Sequence, residues 1–337
     1  MACAPAPVDR RALVDGHGRT ISYLRISVTD RCDLRCRYCM SEQMTFLPRD
    51  ALLRLEEIAL IAERFIARGV RKIRLTGGEP LVRRDAIDLA RRLGRRIGDG
   101  LDELTLTTNG MRLAEHAPAL FDAGVRRVNV SLDSRDPDIF RYITRHGEVA
   151  QVLAGIAAAQ AAGLAVKINM VALKGLNGAE IAPMLEWCVD QRLDLTLIET
   201  MPVGVIDEDR AERFLPLTGV LAELQERFPL VRDDHRSGGP ARYWRMEGTS
   251  TRLGLISPLT SNFCDTCNRV RLTTEGKLYM CLGQDDHADL KAAIRSGGLP
   301  ALDEAIDRAL SLKPARHDFR IDARAPAVAR HMSVTGG

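Results

Sequence analysis

The chemistry in this sequence is concentrated in two groups of cysteines. Cys32, Cys36 and Cys39 form a C-x3-C-x2-C array eight residues long. Three thiolates on so short a loop must point at a shared partner. A structural zinc site takes four protein ligands, and no fourth Cys or His stands close by in sequence. A [4Fe–4S] cube also prefers four thiolates; held by three, it leaves one iron open to a small molecule. Arg31, Arg35 and Arg37 surround the array and are expected to favour the thiolate forms. The second group, Cys264, Cys267 and Cys281, is spaced C-x2-C-x13-C. Two readings stay open for it. His287, six residues further on, would complete a Cys3His zinc site that serves the fold. Without that histidine, three thiolates would hold a cluster with another open iron.

Shorter signals sit between the two groups. Gly77-Gly78-Glu79-Pro80 is a turn whose glycines permit close backbone approach. Residues 107–110 (Thr-Thr-Asn-Gly) and 129–133 (Asn-Val-Ser-Leu-Asp) end apolar runs, as caps or cavity-lining turns do. Cys188 lies in an apolar helical pattern and reads as core, and Cys3 as part of a tail.

These residues need elements to carry them. The first array follows the alternating run 21–28, which reads as a strand. Strand patterns recur at 70–76, 101–107, 125–132, 164–173 and 193–199. Helical patterns occupy 52–68, 83–97 (with an arginine-rich exposed face), 113–123, 150–162 and 179–191. Such alternation predicts parallel strands joined by right-handed helical crossovers. A closed eight-fold barrel typically needs about 250 residues. The expectation is therefore an α/β fold: an incomplete (βα)6 TIM-type barrel, with functional loops at the C-terminal strand ends. Residues 1–19 read as a loose arm, 20–202 as the partial barrel, and 203–337 as a C-terminal region closing its open side. In that last region the pattern predicts a helix at 217–228, strands at 242–246 and 252–256, and helical stretches at 286–296 and 299–310.

The bulk numbers exclude several classes. The 337 residues are 45% hydrophobic and 28% charged, as in ordinary globular proteins. The net charge of +3, from 48 basic and 45 acidic residues, speaks against a general nucleic-acid binder and for local basic sites. No apolar run approaches the roughly 18 residues of a membrane span. The N-terminus lacks the regions of a signal peptide, so a cytoplasmic protein is expected. Eight cysteines are then not a disulfide framework.

The C-x3-C-x2-C array, with Tyr38 before its last cysteine, resembles the radical SAM superfamily. That resemblance implies a first [4Fe–4S] cluster on Cys32, Cys36 and Cys39, whose open iron chelates S-adenosyl-L-methionine and whose electron yields a 5′-deoxyadenosyl radical. Further segments narrow the likeness: 46–49, 74–80, 126–133, 239–243, 263–273 and the terminal Gly336-Gly337. Together they resemble the GTP 3′,8-cyclase family of molybdenum cofactor biosynthesis, from about Tyr23 to Gly337. The resemblance implies a second [4Fe–4S] cluster on Cys264, Cys267 and Cys281, its open iron meeting the guanine of GTP. It implies contacts to S-adenosylmethionine from Tyr38, Gly77, Gly78, Glu79, Ser131 and Met201. Arg25, Arg74, Thr107, Lys167, Arg269, Val270 and Arg271 would surround GTP. Arg269, Arg271, Gly336 and Gly337 would serve the radical step, the glycine tail threading between the clusters. The implied partners are a flavodoxin- or ferredoxin-type electron donor, a downstream cyclic pyranopterin monophosphate synthase and a second copy in a homodimer. One position departs: Thr196 stands where the family has an arginine facing the tail, which implies altered tail docking or affinity. Ser41 also replaces a common proline. Two other readings compete: a radical SAM enzyme acting on a peptide, and a zinc-stabilised nucleic-acid module. The arginines beside Cys267 oppose the first; the near-neutral charge and the first array oppose the second.

Overall fold

In the computed structural model, which describes residues 12–322 and 325–336, the six expected strands lie side by side in chain order and run parallel. They are β1 (Tyr23–Ser27), β2 (Lys72–Thr76), β3 (Glu103–Thr108), β4 (Arg127–Ser131), β5 (Ala165–Ala172) and β6 (Asp194–Glu199). Leu24 and Ile26 of β1 join the apolar core, whereas Tyr23 and Arg25 line an inner cavity. That period of two sorts each strand into a packing face and a chemical face. The crossovers carry α1 (Leu55–Ala67), α2 (Ala86–Gly94), α3 (Leu113–Asp122), α4 (Pro137–Thr144), α5 (Val149–Ala161) and α6 (Ile181–Asp190). Glu57 closes the start of α1 by accepting from the Arg54 backbone N–H at 2.8 Å, and Gly69 (φ 107°) ends it.

Residues beyond 202 enter at both sides of the gap between β1 and β6. After α7 (Arg210–Arg213) and α8 (Leu217–Arg227) come β7 (Leu230–Asp233), β8 (Arg242–Met246) and β9 (Arg252–Ile256). β9 pairs parallel with β6. The strand β10 (Arg269–Leu272) pairs parallel with β1, followed by β11 (Lys277–Tyr279) and β12 (His287–Asp289). The sheet order is β12-β11-β10-β1-β2-β3-β4-β5-β6-β9-β8-β7, an unclosed barrel. One apolar cluster runs from Leu13 through Phe65 and Leu197 to Leu272 and Leu310, so the two halves share a core. Two last helices complete the chain, α9 (Leu290–Ser311) and α10 (Met332–Thr335).

Several expectations change in detail. The helix expected from 83 starts at 86, because Asp85 is left-handed (φ 64°). Arg83 is no surface charge: it donates to the carbonyls of Val28 and Leu53. α4 was not anticipated, although Asp136 accepts from the N–H groups of Asp138 and Ile139 and Pro137 opens the first turn. α9 kinks at Gly298, which preserves the two expected stretches, but 287–289 is strand. Of the expected loose arm, residues 12–19 are docked: Leu13 is buried, and Arg19 donates to Asp15, Cys264, Pro314 and Ala315. Residues 1–11, with Cys3, lie outside the described residues. Cys188 is buried in the core as expected.

Candidate active site

The loop leaving β1 turns tightly after Cys36, whose carbonyl accepts from the N–H groups of Cys39 and Met40. Its three cysteines line a cavity together with Tyr38, Gly78, Ser131 and Met201. Gly77 and Gly78 come directly after β2, and their backbones lie against this loop. A Cβ on Gly77 would stand 2.4 Å from the Thr29 carbonyl oxygen, and one on Gly78 2.3 Å from that of Arg31. Only glycine permits that approach. Glu79 lies behind this wall, fully buried. Its carboxylate accepts from Leu81 N–H (3.0 Å), Thr108 Oγ1 (2.9 Å) and Asn109 N–H (2.6 Å), and so fixes the turn after β3. Asn109 in turn donates to Asp33 beside Cys32. Tyr38 donates to Asp133 at 2.7 Å; burial pushes that carboxyl up to about 6. Thr107 lines this first cavity, and its Oγ1 is buried without a partner among the described residues.

The arginines near the array do not act as expected. Burial pushes the Cys32 and Cys36 thiols up, and Cys39 to about 11. Arg31 and Arg35 lie over the Phe46 ring, and Arg35 also donates to the Cys32 carbonyl. Arg37 lies over Tyr142 and pairs with Glu208. They brace the loop rather than ionise its thiols.

A second cavity adjoins the first; Asn169, Ile198, Met201 and Met332 line both. Strand register lays cations across its floor. Arg271, Arg25 and Arg74 are direct partners across β10, β1 and β2, with Tyr23 facing Arg269 one step back. Lys167 enters from β5. All five cations are nine-tenths or more buried. Buried charges are normally paired, yet Nε of Arg74 and of Arg269 and the Tyr23 hydroxyl have no partner among the described residues. Lys167 donates to the Tyr243 hydroxyl, at 3.4 Å. Burial and Arg74 hold Lys167 well below the ordinary lysine range, and burial and Arg269 push Arg271 down to about 10. A polyanion entering here would relieve that repulsion. Val270 alternates with the two arginines of β10, so its side chain lies in the core.

Cys264, Cys267 and Cys281 line the same cavity. His287 does not: it is exposed, its Nδ1 lies 2.8 Å from the Asp285 carbonyl, and its ring packs on Tyr279. The zinc reading thus loses its fourth ligand. Each cysteine is reached by a cation from another segment. Arg19 donates to the Cys264 carbonyl (2.8 Å), Arg330 to that of Cys281 (3.2 Å), and Lys313 lies 3.6 Å from Cys267 Sγ. Burial pushes the Cys267 thiol up, but Arg269 and Lys313 outweigh it, and it ends below its ordinary value. Among the described residues no three Cys, His, Asp or Glu side chains close into a metal-holding group. The six thiols are free and edge two joined cavities, which is the donor chemistry that three-thiolate clusters require.

The tail connects the two arrays. The Ser333 N–H bonds Cys39, and Arg330 holds the Cys281 loop. Gly336 (φ 76°) gives its carbonyl to Arg271 at 2.8 Å. A Cβ there would stand 2.2 Å from Thr76 Cγ2. Gly337 lies outside the described residues. Thr196 is buried between Asn169 and Gly254, and the Tyr243 ring packs against Gly254 where a longer side chain would reach. The tail is docked through Arg271 and Cys39 despite that substitution. Tyr23, Asn169, Lys313 and Met332 were not singled out from the sequence; only the period of two in β1 and β5 hinted at the first pair.

Residues 26–188 match the model of the Radical SAM superfamily and residues 193–319 that of Molybdenum Cofactor Synthesis C. A Rhizobium etli protein named GTP 3′,8-cyclase is 58% identical over 99% of this chain and 97% of its own. One of the same name from Erythrobacter litoralis is 58% identical over 96% and 98%. Among solved structures, Streptococcus suis SuiB bound to S-adenosylmethionine shares the fold, with a TM-score of 0.60 and 14% identity over 87% of this chain and 66% of that one.

Proposed function

The chain belongs to the GTP 3′,8-cyclase family of the radical SAM superfamily, and from that premise we propose that it converts GTP to (8S)-3′,8-cyclo-7,8-dihydroguanosine 5′-triphosphate, the first step of molybdenum cofactor biosynthesis. Cys32, Cys36 and Cys39 would hold the cluster that binds S-adenosyl-L-methionine; Cys264, Cys267 and Cys281 would hold the second [4Fe–4S] cluster. When bound, the first cluster and S-adenosylmethionine would supply the 5′-deoxyadenosyl radical for hydrogen abstraction at ribose C3′, and closure of C3′ on guanine C8 would be completed by one electron from the reductant and one proton. The protein's own work is to hold, orient and keep water from these partners.

The observation that carries the reading is the set of buried cations facing the second array. Arg25, Arg74, Lys167, Arg269 and Arg271 form a floor for a triphosphate, which arginine binds bidentately. That floor leaves the base end of the nucleotide toward Cys264, Cys267 and Cys281. Tyr38, Gly78, Ser131 and Met201 shape the S-adenosylmethionine cavity, and Gly77 and Glu79 set its wall. Met201 and Met332 line both cavities, so their occupants would be neighbours, as transfer of a hydrogen atom between them requires. In this reading the tail ending in Gly336-Gly337 serves the radical step, with the Gly336 carbonyl held by Arg271.

The same reading includes a flavodoxin- or ferredoxin-type donor, a downstream cyclic pyranopterin monophosphate synthase, a homodimer, a cytoplasmic setting, and 20–202 and 203–337 as the working units. No described helix is long and apolar enough to cross a membrane. The test is an anaerobic reaction of the iron-loaded protein with GTP, S-adenosylmethionine and reductant. The expected result is 5′-deoxyadenosine together with a cyclised nucleotide isomeric with GTP. Formation of 5′-deoxyadenosine without that nucleotide, at saturating GTP, would sink the substrate assignment. Cys36→Ser should abolish both products.

A further inference from the structure

Lys313, just beyond α9, is 3% exposed. Its Nζ donates to the Met280 carbonyl at 2.6 Å and lies 3.6 Å from Cys267 Sγ. Neither partner is an acid, and no carboxylate pairs with this ammonium among the described residues. A lysine so deeply buried is almost always paired with an opposite charge. Here the electron-rich group within reach is a sulfur. The other cations at the array act differently: Arg19 and Arg330 bind carbonyls, of Cys264 and of Cys281 and Leu282. Arg269 is drawn over the Phe263 ring, 5.2 Å from its centre. Arg269 reaches the Cys267 sulfur through its backbone N–H, whereas Lys313 brings its charged side chain to that sulfur, and by holding Met280 it also fixes the residue before Cys281.

A hydrogen bond to a ligand thiolate withdraws electron density from the metal, and charge near a cluster moves its potential in the same sense. We propose that Lys313 is a positioning residue for the second cluster: its ammonium donates to the Cys267 thiolate, holds the array together and stabilises the one-electron-reduced state. This rests on the reading that Cys264, Cys267 and Cys281 hold a [4Fe–4S] cluster. The proposal concerns the poise of that cluster rather than which atoms ligate it.

The test uses full-length protein carrying Cys32→Ala, Cys36→Ala and Cys39→Ala, so that only the second array is loaded. Iron content and a redox titration followed by electron paramagnetic resonance are compared with and without Lys313→Met and Lys313→Arg. Lys313→Met should lower the midpoint potential by an amount equal to at least a tenfold change in the oxidised-to-reduced ratio, about 59 mV for one electron. Lys313→Arg should recover most of it. Loss of iron in Lys313→Met but not in Lys313→Arg also supports the proposal, since it shows that the charge holds the array. An unmoved potential in a fully loaded Lys313→Met protein overturns it, as does equal iron loss in both variants. A parent that takes up no iron at this array overturns the cluster reading itself, and the proposal with it.

Discussion

The Glu79 carboxyl is buried without a counter-ion among the described residues, and burial pushes it up to about 7 from a starting value of 4.5. Its folded value is above its unfolded one, so the stability it contributes is complete below about pH 4.5 and is lost as pH rises through about 7. Glu79→Gln should flatten that fall. It should also cost about 1–3 kcal/mol, because three donors face the carboxylate and one must then meet an amide N–H2. Chemical denaturation at pH 5 and pH 8 checks both; equal pH slopes in the two proteins would mean that Glu79 ionises as it does in water. Arg271→Ala should weaken GTP binding by about tenfold to more than a hundredfold, the worth of one charge-assisted contact at about 1.5–3 kcal/mol. Equilibrium binding at full iron content measures it, and an unchanged affinity would remove Arg271 from the phosphate floor. Residues of this kind were unequally legible. The cysteine arrays are local patterns and read directly. Lys313 is 46 residues from the cysteine it meets, and no spacing rule connects them.

At the scale of elements, α10 is one turn long, and its course depends on the glycine that ends it. Gly336 is left-handed and has no room for a Cβ beside Thr76. Gly336→Ala should therefore displace the end of the tail from Arg271, while GTP affinity and iron content stay near those of the parent. Formation of the cyclised nucleotide should drop at least tenfold relative to 5′-deoxyadenosine. If the ratio of the two products is unchanged, the tail has no part in the radical step. The long periodic elements, β1 to β6 and the helices between them, were readable because each buries one regular face. β7, β11 and β12 were not, since three or four residues carry too little period. α4 was missed although Asp136-Pro137 is a legible start signal. The helix expected from 83 began late because a left-handed Asp85 has no strong sequence signal.

At the scale of the molecule, the C-terminal strands are structural parts of the sheet, β10 on one edge of the six-stranded unit and β9 on the other. A chain ending at residue 202 would bare the hydrogen-bonding edges of both β1 and β6, which is a template for aggregation. It should be recovered as insoluble material, or as oligomers by light scattering, where the full chain is not; a soluble monomer with native circular dichroism would show the barrel to be self-sufficient. The sequence could suggest that residues after 202 close the barrel, but not that they flank it, because pairing between distant strands leaves no local pattern. That flanking has a consequence for how the protein is made. Ser22, at the start of β1, bonds Asn268, 246 residues later. A ribosome adding about 5–20 residues per second leaves the outer edge of β1 without its neighbour for roughly 12–50 s. During most of that wait the loop with Cys32, Cys36 and Cys39 has been made, while β10, whose arginines line the second cavity, has not. Cells that load iron during synthesis would meet the first array long before the second exists.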